Sequence, residues 1–232
     1  MRGVVLKAFC LVFIVAAGCT NSDIVSIADQ SYFPLHVGNY QIYDVNETDI
    51  LQLTCGDGGQ TVKNYQLKVL IFDSVKNSAG GYTYDAHRYT RTDSTQAWAD
   101  LDTWTMRVTS SQVIVNESNV IYVNLIFPLR NNEKWRVNQY NDLKADSLDS
   151  LASLGQPYTL TNGKQFKTTL TVVQSNEQNL VYEDKRFEVY ASTVGLIYKE
   201  ITQLNYFTDQ CFGQQKIMNG IIYKQTLKSY GR

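Results

Sequence analysis

Apolar and polar side chains alternate with a period of two along most of this chain, a period that half-buried β-strands produce and helices do not. From residue 65, Tyr65, Leu67, Val69 and Ile71 make one fully apolar face, while Gln66, Lys68, Leu70 and Phe72 make a mixed one. The habit returns at Trp104, Met106 and Val108, at Ile121, Val123, Leu125 and Phe127, and at Phe166, Thr168, Leu170 and Val172. It continues at Phe187, Val189 and Ala191, from Leu196 to Tyr206, and from Ile221 to Leu227. Abundant Tyr, Thr and Val suit such a pleated surface. Clusters that accept turn dihedrals break the pattern at Asn77–Gly81, Asn116–Asn119, Asn131-Asn132, Asn162-Gly163 and Asn176–Asn179. Links this short join antiparallel neighbours.

The expected fold is therefore all-β, with about a dozen strands in an antiparallel meander that buries one face by rolling up, closing or stacking. A rolled sheet, a half-barrel, a barrel and a sandwich all satisfy the pattern. One stretch departs from it: in Asn141–Leu154, the residues Leu143, Leu148, Leu151 and Leu154 fall on one helical face, and Gly155 and Pro157 supply a stop. That spacing predicts one short helix. Alternation is incomplete at Leu70, Phe72, Val120 and Ile126, so much of the sheet is expected to be covered on both faces. Tyr65, Leu67, Val69, Ile121, Val123, Leu125 and Leu170 are then expected to pack as a filled core, not as the wall of a pocket.

The beginning of the chain has the architecture of an export signal. Arg2 and Lys7 supply positive charge, and Ala8 to Ala17 form an uncharged apolar run that stops before Thr20, Asn21, Ser22 and Asp23. Spanning a bilayer takes about 20 apolar residues, so this run is too short for a permanent helix. It ends in Ala16-Ala17-Gly18-Cys19, which resembles the lipobox of bacterial lipoproteins, with Ala16 where that family usually has Leu. The resemblance implies cleavage after Gly18 and acylation of Cys19 by several chains, which hold a protein to a membrane stably. Thr20, in place of Asp after the cysteine, implies the outer membrane. The chain divides into a signal peptide at 1–18, a lipidated tether at 19–31 and a single β-rich domain at 32–232, with no linker-like segment inside the last.

Loss of the signal removes Arg2 and Lys7 and leaves 19 basic against 22 acidic residues. No basic cluster emerges, which argues against nucleic acid, whose binders need a basic face to displace phosphate counterions. Besides Cys10 and Cys19, only Cys55 and Cys211 remain. In an oxidising compartment a disulfide between them is the default reading. Two buried thiols or metal ligands are the alternatives, although zinc wants four ligands and the histidines are His36 and His87 alone.

Two local motifs carry a further resemblance. Tyr32-Phe33-Pro34-Leu35-His36-Val37-Gly38-Asn39-Tyr40-Gln41-Ile42-Tyr43 resembles the Phe-Pro-Leu, Gly-Asn, aromatic and Tyr opening of exported lipoproteins of the Bacteroidetes type, with Gln41 where that group usually has Trp. Val194-Gly195-Leu196-Ile197-Tyr198-Lys199-Glu200 is similar to its closing hairpin. The resemblance implies an exported location and a curved-sheet fold like the periplasmic lipoprotein carriers, and transfers no catalytic residue. The residues themselves read structurally: Phe33 and Leu35 staple the chain onto the core, and Gly38-Asn39 turns it. Asp-Ser followed by a small aliphatic residue or Thr, at Ser74, Ser94, Ser147 and Ser150, resembles the O-glycosylation acceptor of Bacteroidetes exported proteins.

The chain has no Gly-x-Ser-x-Gly elbow, no His-Glu-x-x-His, no P-loop and no dinucleotide-binding glycine pattern, and nothing implies a cofactor. The pairs Asp100 and Asp102, or Asp142 and Asp146, would serve glycoside hydrolysis only if held across a cleft, and surface solvation is their plainer role. Trp98, Trp104 and Trp135 are candidates for a ligand cavity or a glycan-stacking face. The expected function is a membrane-anchored, non-catalytic binding or structural module in the periplasm or on the cell surface, with a protein or glycan partner. The alternative is a carrier that holds an apolar lipid in a curved-sheet cavity.

Overall fold

The computed structural model describes residues 27–55, 58–78, 80–143, 148–209 and 211–232. Cys19, the signal segment and Ser147 lie outside them. One helical turn, α1 (Ile27–Gln30), precedes twelve strands. The first six are β1 (Tyr40–Gln52), β2 (Gly58–Lys76), β3 (Tyr82–Arg91), β4 (Ala99–Val108), β5 (Gln112–Glu117) and β6 (Val120–Ile126). The rest are β7 (Lys134–Arg136), β8 (Leu148–Thr159), β9 (Gln165–Gln178), β10 (Tyr182–Ala191), β11 (Gly195–Tyr206) and β12 (Ile217–Gly231).

All twelve belong to one antiparallel sheet in which nearly every neighbour in space is a neighbour in sequence. The exception joins the ends of the chain: β1 pairs with β12 from Tyr40↔Gly231 to Leu51↔Asn219. The strand order runs from β6 through β1 and β12 to β7, so the sheet curls until its two edges, β6 and β7, face each other. There Val123 N donates to Val137 O at 2.9 Å, and the indole Nε1 of Trp135 donates to Val123 O at 2.8 Å. Asn141 Nδ2 covers Ile121 O at 2.6 Å. The edge groups of β6, which would otherwise template association, are thus satisfied within a nearly closed barrel.

Among the described residues the expected helix is absent. Its second half is β8, where Asp149 and Leu151 are both buried two residues apart, the spacing of one strand face. The leucine spacing fits a helix and divides between the two faces of the strand, Leu151 buried and Leu148 exposed; pairing with β9 decided the matter, since Ser150 and Leu151 lie opposite Val173 and Val172. Gly155 (φ +77°) and Ser153 (φ +55°) do not end a helix but bend the β8–β9 hairpin where its register slips. Beyond the bend the hairpin folds back across β10 and β11. Tyr158, Leu160 and Phe166 cover Phe187, Val189 and Tyr198, and Asn162 Nδ2 reaches Leu227 O on β12 at 3.0 Å.

Three core clusters result, the smallest of them Ile50, Leu204 and Tyr206. Val123, Leu125 and Leu170 are fully buried in the largest, as the filled-core expectation requires. Leu67 and Val69 depart from it, because they border a cavity.

Candidate functional site

Side chains facing each other across a ladder share a sheet face. The row Glu188↔Lys199↔Gln225↔Val45↔Tyr65 therefore points one way through β10, β11, β12, β1 and β2. Val69, Arg88 and Asp102 make a second row on the same face. Both rows point into the barrel, where Glu188, Lys199, Gln225, Val69 and Arg88 border a cavity of about 320 Å³ to which strands β1–β6 and β10–β12 all contribute. Its upper wall is apolar, with Leu67, Val69, Ile71, Met106, Val115 and Leu196, and its floor is charged.

The two sequence motifs meet at the mouth. Phe33, Pro34 and Leu35 cross the barrel end, and Thr193, Val194 and Gly195 turn from β10 into β11 beside them. Gln41 Nε2 donates to Val194 O at 2.7 Å and to Leu196 O at 3.1 Å, and Tyr43 Oη donates to Leu196 O at 3.0 Å. A Cβ on Gly195 (φ +91°) would stand 3.1 Å from Gln41 Nε2 and 3.5 Å from Pro34 Cδ. Ser31 and Thr193 close the contact through the Thr193 N to Ser31 O bond of 2.7 Å. Leu129 N donates to Asp29 Oδ2, so the last residues before the domain also bind the barrel.

At the floor, Lys199 Nζ lies 2.8 Å from Glu188 Oε1, and Tyr190 Oη donates to Glu188 Oε2 at 2.5 Å. Burial alone would raise the Glu188 carboxyl, but the Lys199 ammonium and bonds from Tyr190 and Gln174 bring it below the ordinary value. Burial works against the Lys199 charge, and Glu188 with Glu117 reverses the sign, so the ammonium is held above its usual range. Arg88 Nη1 meets Asp102 Oδ2 at 3.1 Å, and its guanidinium lies 3.8 Å above the Trp104 ring. Glu117 belongs to neither pair. Burial, with Glu188 and Asp102 adding to it, pushes its carboxyl up against the pull of Lys199 and Arg88.

The residues singled out from the sequence separate. Cys55 and Cys211 are bonded, with Cα atoms 6.2 Å apart, tying the β1–β2 loop to the β11–β12 loop. Ser94 is exposed in the β3–β4 loop. Ser74 is half-buried in β2, and Ser150 sits in β8 with its hydroxyl 3.4 Å from Val173 O. His36 is exposed, and His87 stacks on Phe72 at 4.5 Å. Asp102 pairs with Arg88, whereas Asp100 is exposed. The three tryptophans have three roles: Trp98 stacks under Arg91 at 4.1 Å, Trp104 borders the cavity, and Trp135 closes the barrel.

Sequence reasoning missed the floor. Its trace was present in β10, where Glu188 and Tyr190 alternate with Phe187, Val189 and Ala191. The apolar set marked the strand correctly, but it faces the folded-back hairpin, and the polar set faces the cavity.

No family model matches the chain, and none of the curated proteins matches it. Among solved structures, the chain is similar to a protein from Bacteroides fragilis taken to be exported and described as having a YmcC-like fold. The identity is 12% and the TM-score 0.45, over 86% of this chain and 98% of that one. It is also similar to a protein from Parabacteroides distasonis taken to be a lipoprotein, at 9% identity and TM-score 0.42, with the same coverage.

Proposed function

We propose that this chain is a membrane-anchored, non-catalytic binding module, outside the cytoplasm, that holds one compact ligand within its barrel. The observation that carries this reading is the cavity, whose roughly 320 Å³ stands at the lower end of the range of about 300–1,000 Å³ typical of small-molecule sites. Apolar walls above a few fixed polar groups are what such a site needs for affinity and orientation. Four of its charged groups hold one another in two pairs, as in a binding floor. The size weighs against a two-chain lipid as cargo and for a smaller molecule.

The anchor reading rests on the lipobox resemblance at Cys19, and by Thr20 on the outer membrane. Seven residues lie between Cys19 and Ile27, and the eight steps from one to the other, fully extended, reach at most roughly 29 Å. The segment that follows lies at the cavity mouth, so an anchored Cys19 would keep the mouth close to the membrane surface.

Two measurements test the two halves of the proposal. Metabolic labelling with a fatty-acid analogue should mark the chain in the membrane fraction and fail to mark Cys19→Ser. Native mass spectrometry of the membrane-purified chain should find a stoichiometric small-molecule adduct that Val69→Trp, which fills the cavity, removes. Labelling that survives Cys19→Ser sinks the anchor. Identical adduct patterns in both proteins, or none in either, sink the binding site.

A further inference from the structure

We propose that the cavity selects a compact apolar molecule bearing a protonated amine, received by the Glu117 carboxylate and the side-chain oxygen of Asn124. This deepens the reading of the cavity as a ligand site and rests on it.

Charge at the floor is unequal. Two cations face three carboxyls: Lys199 pairs with Glu188 and Arg88 with Asp102, with the Arg88 guanidinium 3.8 Å over the Trp104 ring and its Nε without a partner. Glu117 borders the cavity as a third carboxyl and belongs to neither pair. Lys199 and Arg88 reach it only as charges shared with their own partners, and burial still holds its carboxyl up, so a ligand cation lowers the cost of its charge where a ligand anion adds to it.

A second observation comes from Asn124 on β6, also at the cavity. Its Oδ1 is buried without a hydrogen-bond partner. The orientation of this amide follows from its neighbour. Tyr190 Oη already donates its one proton to Glu188, so toward Asn124 it can only accept, and a side-chain bond joins the two. The Asn124 NH₂ therefore faces Tyr190, and the oxygen is left over. An orphan acceptor and a carboxyl in excess of the floor's two cations, on the same β5–β6 wall, call for donors with positive charge. A primary ammonium offers three donors and no acceptor. Above them, Leu67, Ile71, Met106 and Val115 offer only apolar contact, which requires the body of the ligand to be hydrocarbon-like.

Three probes of equal shape test the assignment: cyclohexylmethylamine, cyclohexylmethanol and cyclohexanecarboxylate, titrated calorimetrically into the Cys19→Ser chain. The amine should bind about tenfold more tightly than the alcohol, a difference of about 1.4 kcal/mol, and the carboxylate should bind more weakly than either. Glu117→Gln should bring amine and alcohol to the same affinity. Asn124→Leu, which keeps the shape and removes the acceptor, should weaken the amine and leave the alcohol unchanged. A preference for the carboxylate or alcohol, or an amine preference that persists in both variants, overturns the ligand class and leaves the cavity reading standing. If none of the three probes binds, this inference falls; an adduct that Val69→Trp removes would still uphold the cavity reading, and its absence would take that reading too.

Discussion

Asp149, 2% exposed on β8, is the residue whose chemistry the fold alters most usefully for experiment. Burial, helped by the nearby Glu188 charge, pushes its carboxyl up to about 7. The folded chain then binds a proton that the unfolded chain releases near pH 4, so stability is highest below that value. It falls as pH rises toward 7 and levels off above it. The span corresponds to about 3–4 kcal/mol as an upper figure. Asp149→Asn should flatten this dependence and raise the denaturant midpoint at pH 8, and an unchanged slope between pH 4 and 7 would show that Asp149 is ionised throughout. No local feature of the sequence announced this residue, because Asp149 lies in the stretch that reads as a helix and beside Ser150 in a glycosylation-like triplet, and only the pairing of β9 with β8 buries it. Gln41 is the converse case. Its place in the opening motif was visible, but its bonds to Val194 O and Leu196 O depend on residues about 150 positions away.

At the scale of elements, strands were legible wherever apolar residues alternated, and turns wherever Asn and Gly clustered: Asn162-Gly163 does head a hairpin, with Gly163 at φ +84°. The misread element was the one whose leucines stand at helical spacing and, in the strand, divide between its faces. Strand faces were also less legible than strands, since the β8–β9 hairpin covers the outside of β10 and β11 and makes apolar residues there look like barrel interior. The disulfide joins two loops at the end of the barrel away from the motif-lined mouth, across a separation of 156 residues. Closing so long a loop in the unfolded chain is worth about 4–5 kcal/mol by the entropic estimate and about 2–4 in practice. Cys55→Ser together with Cys211→Ser should lower the unfolding free energy by that amount while leaving the circular dichroism of the barrel intact. A loss below about 0.5 kcal/mol would mean that the unfolded chain is already compact across this span.

At the scale of the whole molecule, the barrel has one seam, and Trp135 holds it. Trp135→Phe keeps the ring and removes the donor to Val123 O, leaving a buried carbonyl unpaired at a cost of about 1–3 kcal/mol. Amide exchange should then accelerate along β6, at Val123 above all, before it does so in β1 or β12. Uniform acceleration would place the weakest line of the sheet elsewhere. The sequence by itself determined the class of fold, the number of strands to within a few and the antiparallel order, and it made a bridge between Cys55 and Cys211 the default reading. These follow from local periodicity, turn chemistry and cysteine count, each of which needs only a short stretch of chain or a simple inventory. Only the tertiary structure decided that the sheet curls until β6 meets β7, that one hairpin folds back over it, and that Arg88, Glu117, Glu188 and Lys199 converge on a cavity. The physical reason is that a period of two specifies two faces and does not say which is inside. That choice depends on curvature and on what covers the other face, both set by contacts between residues far apart in sequence.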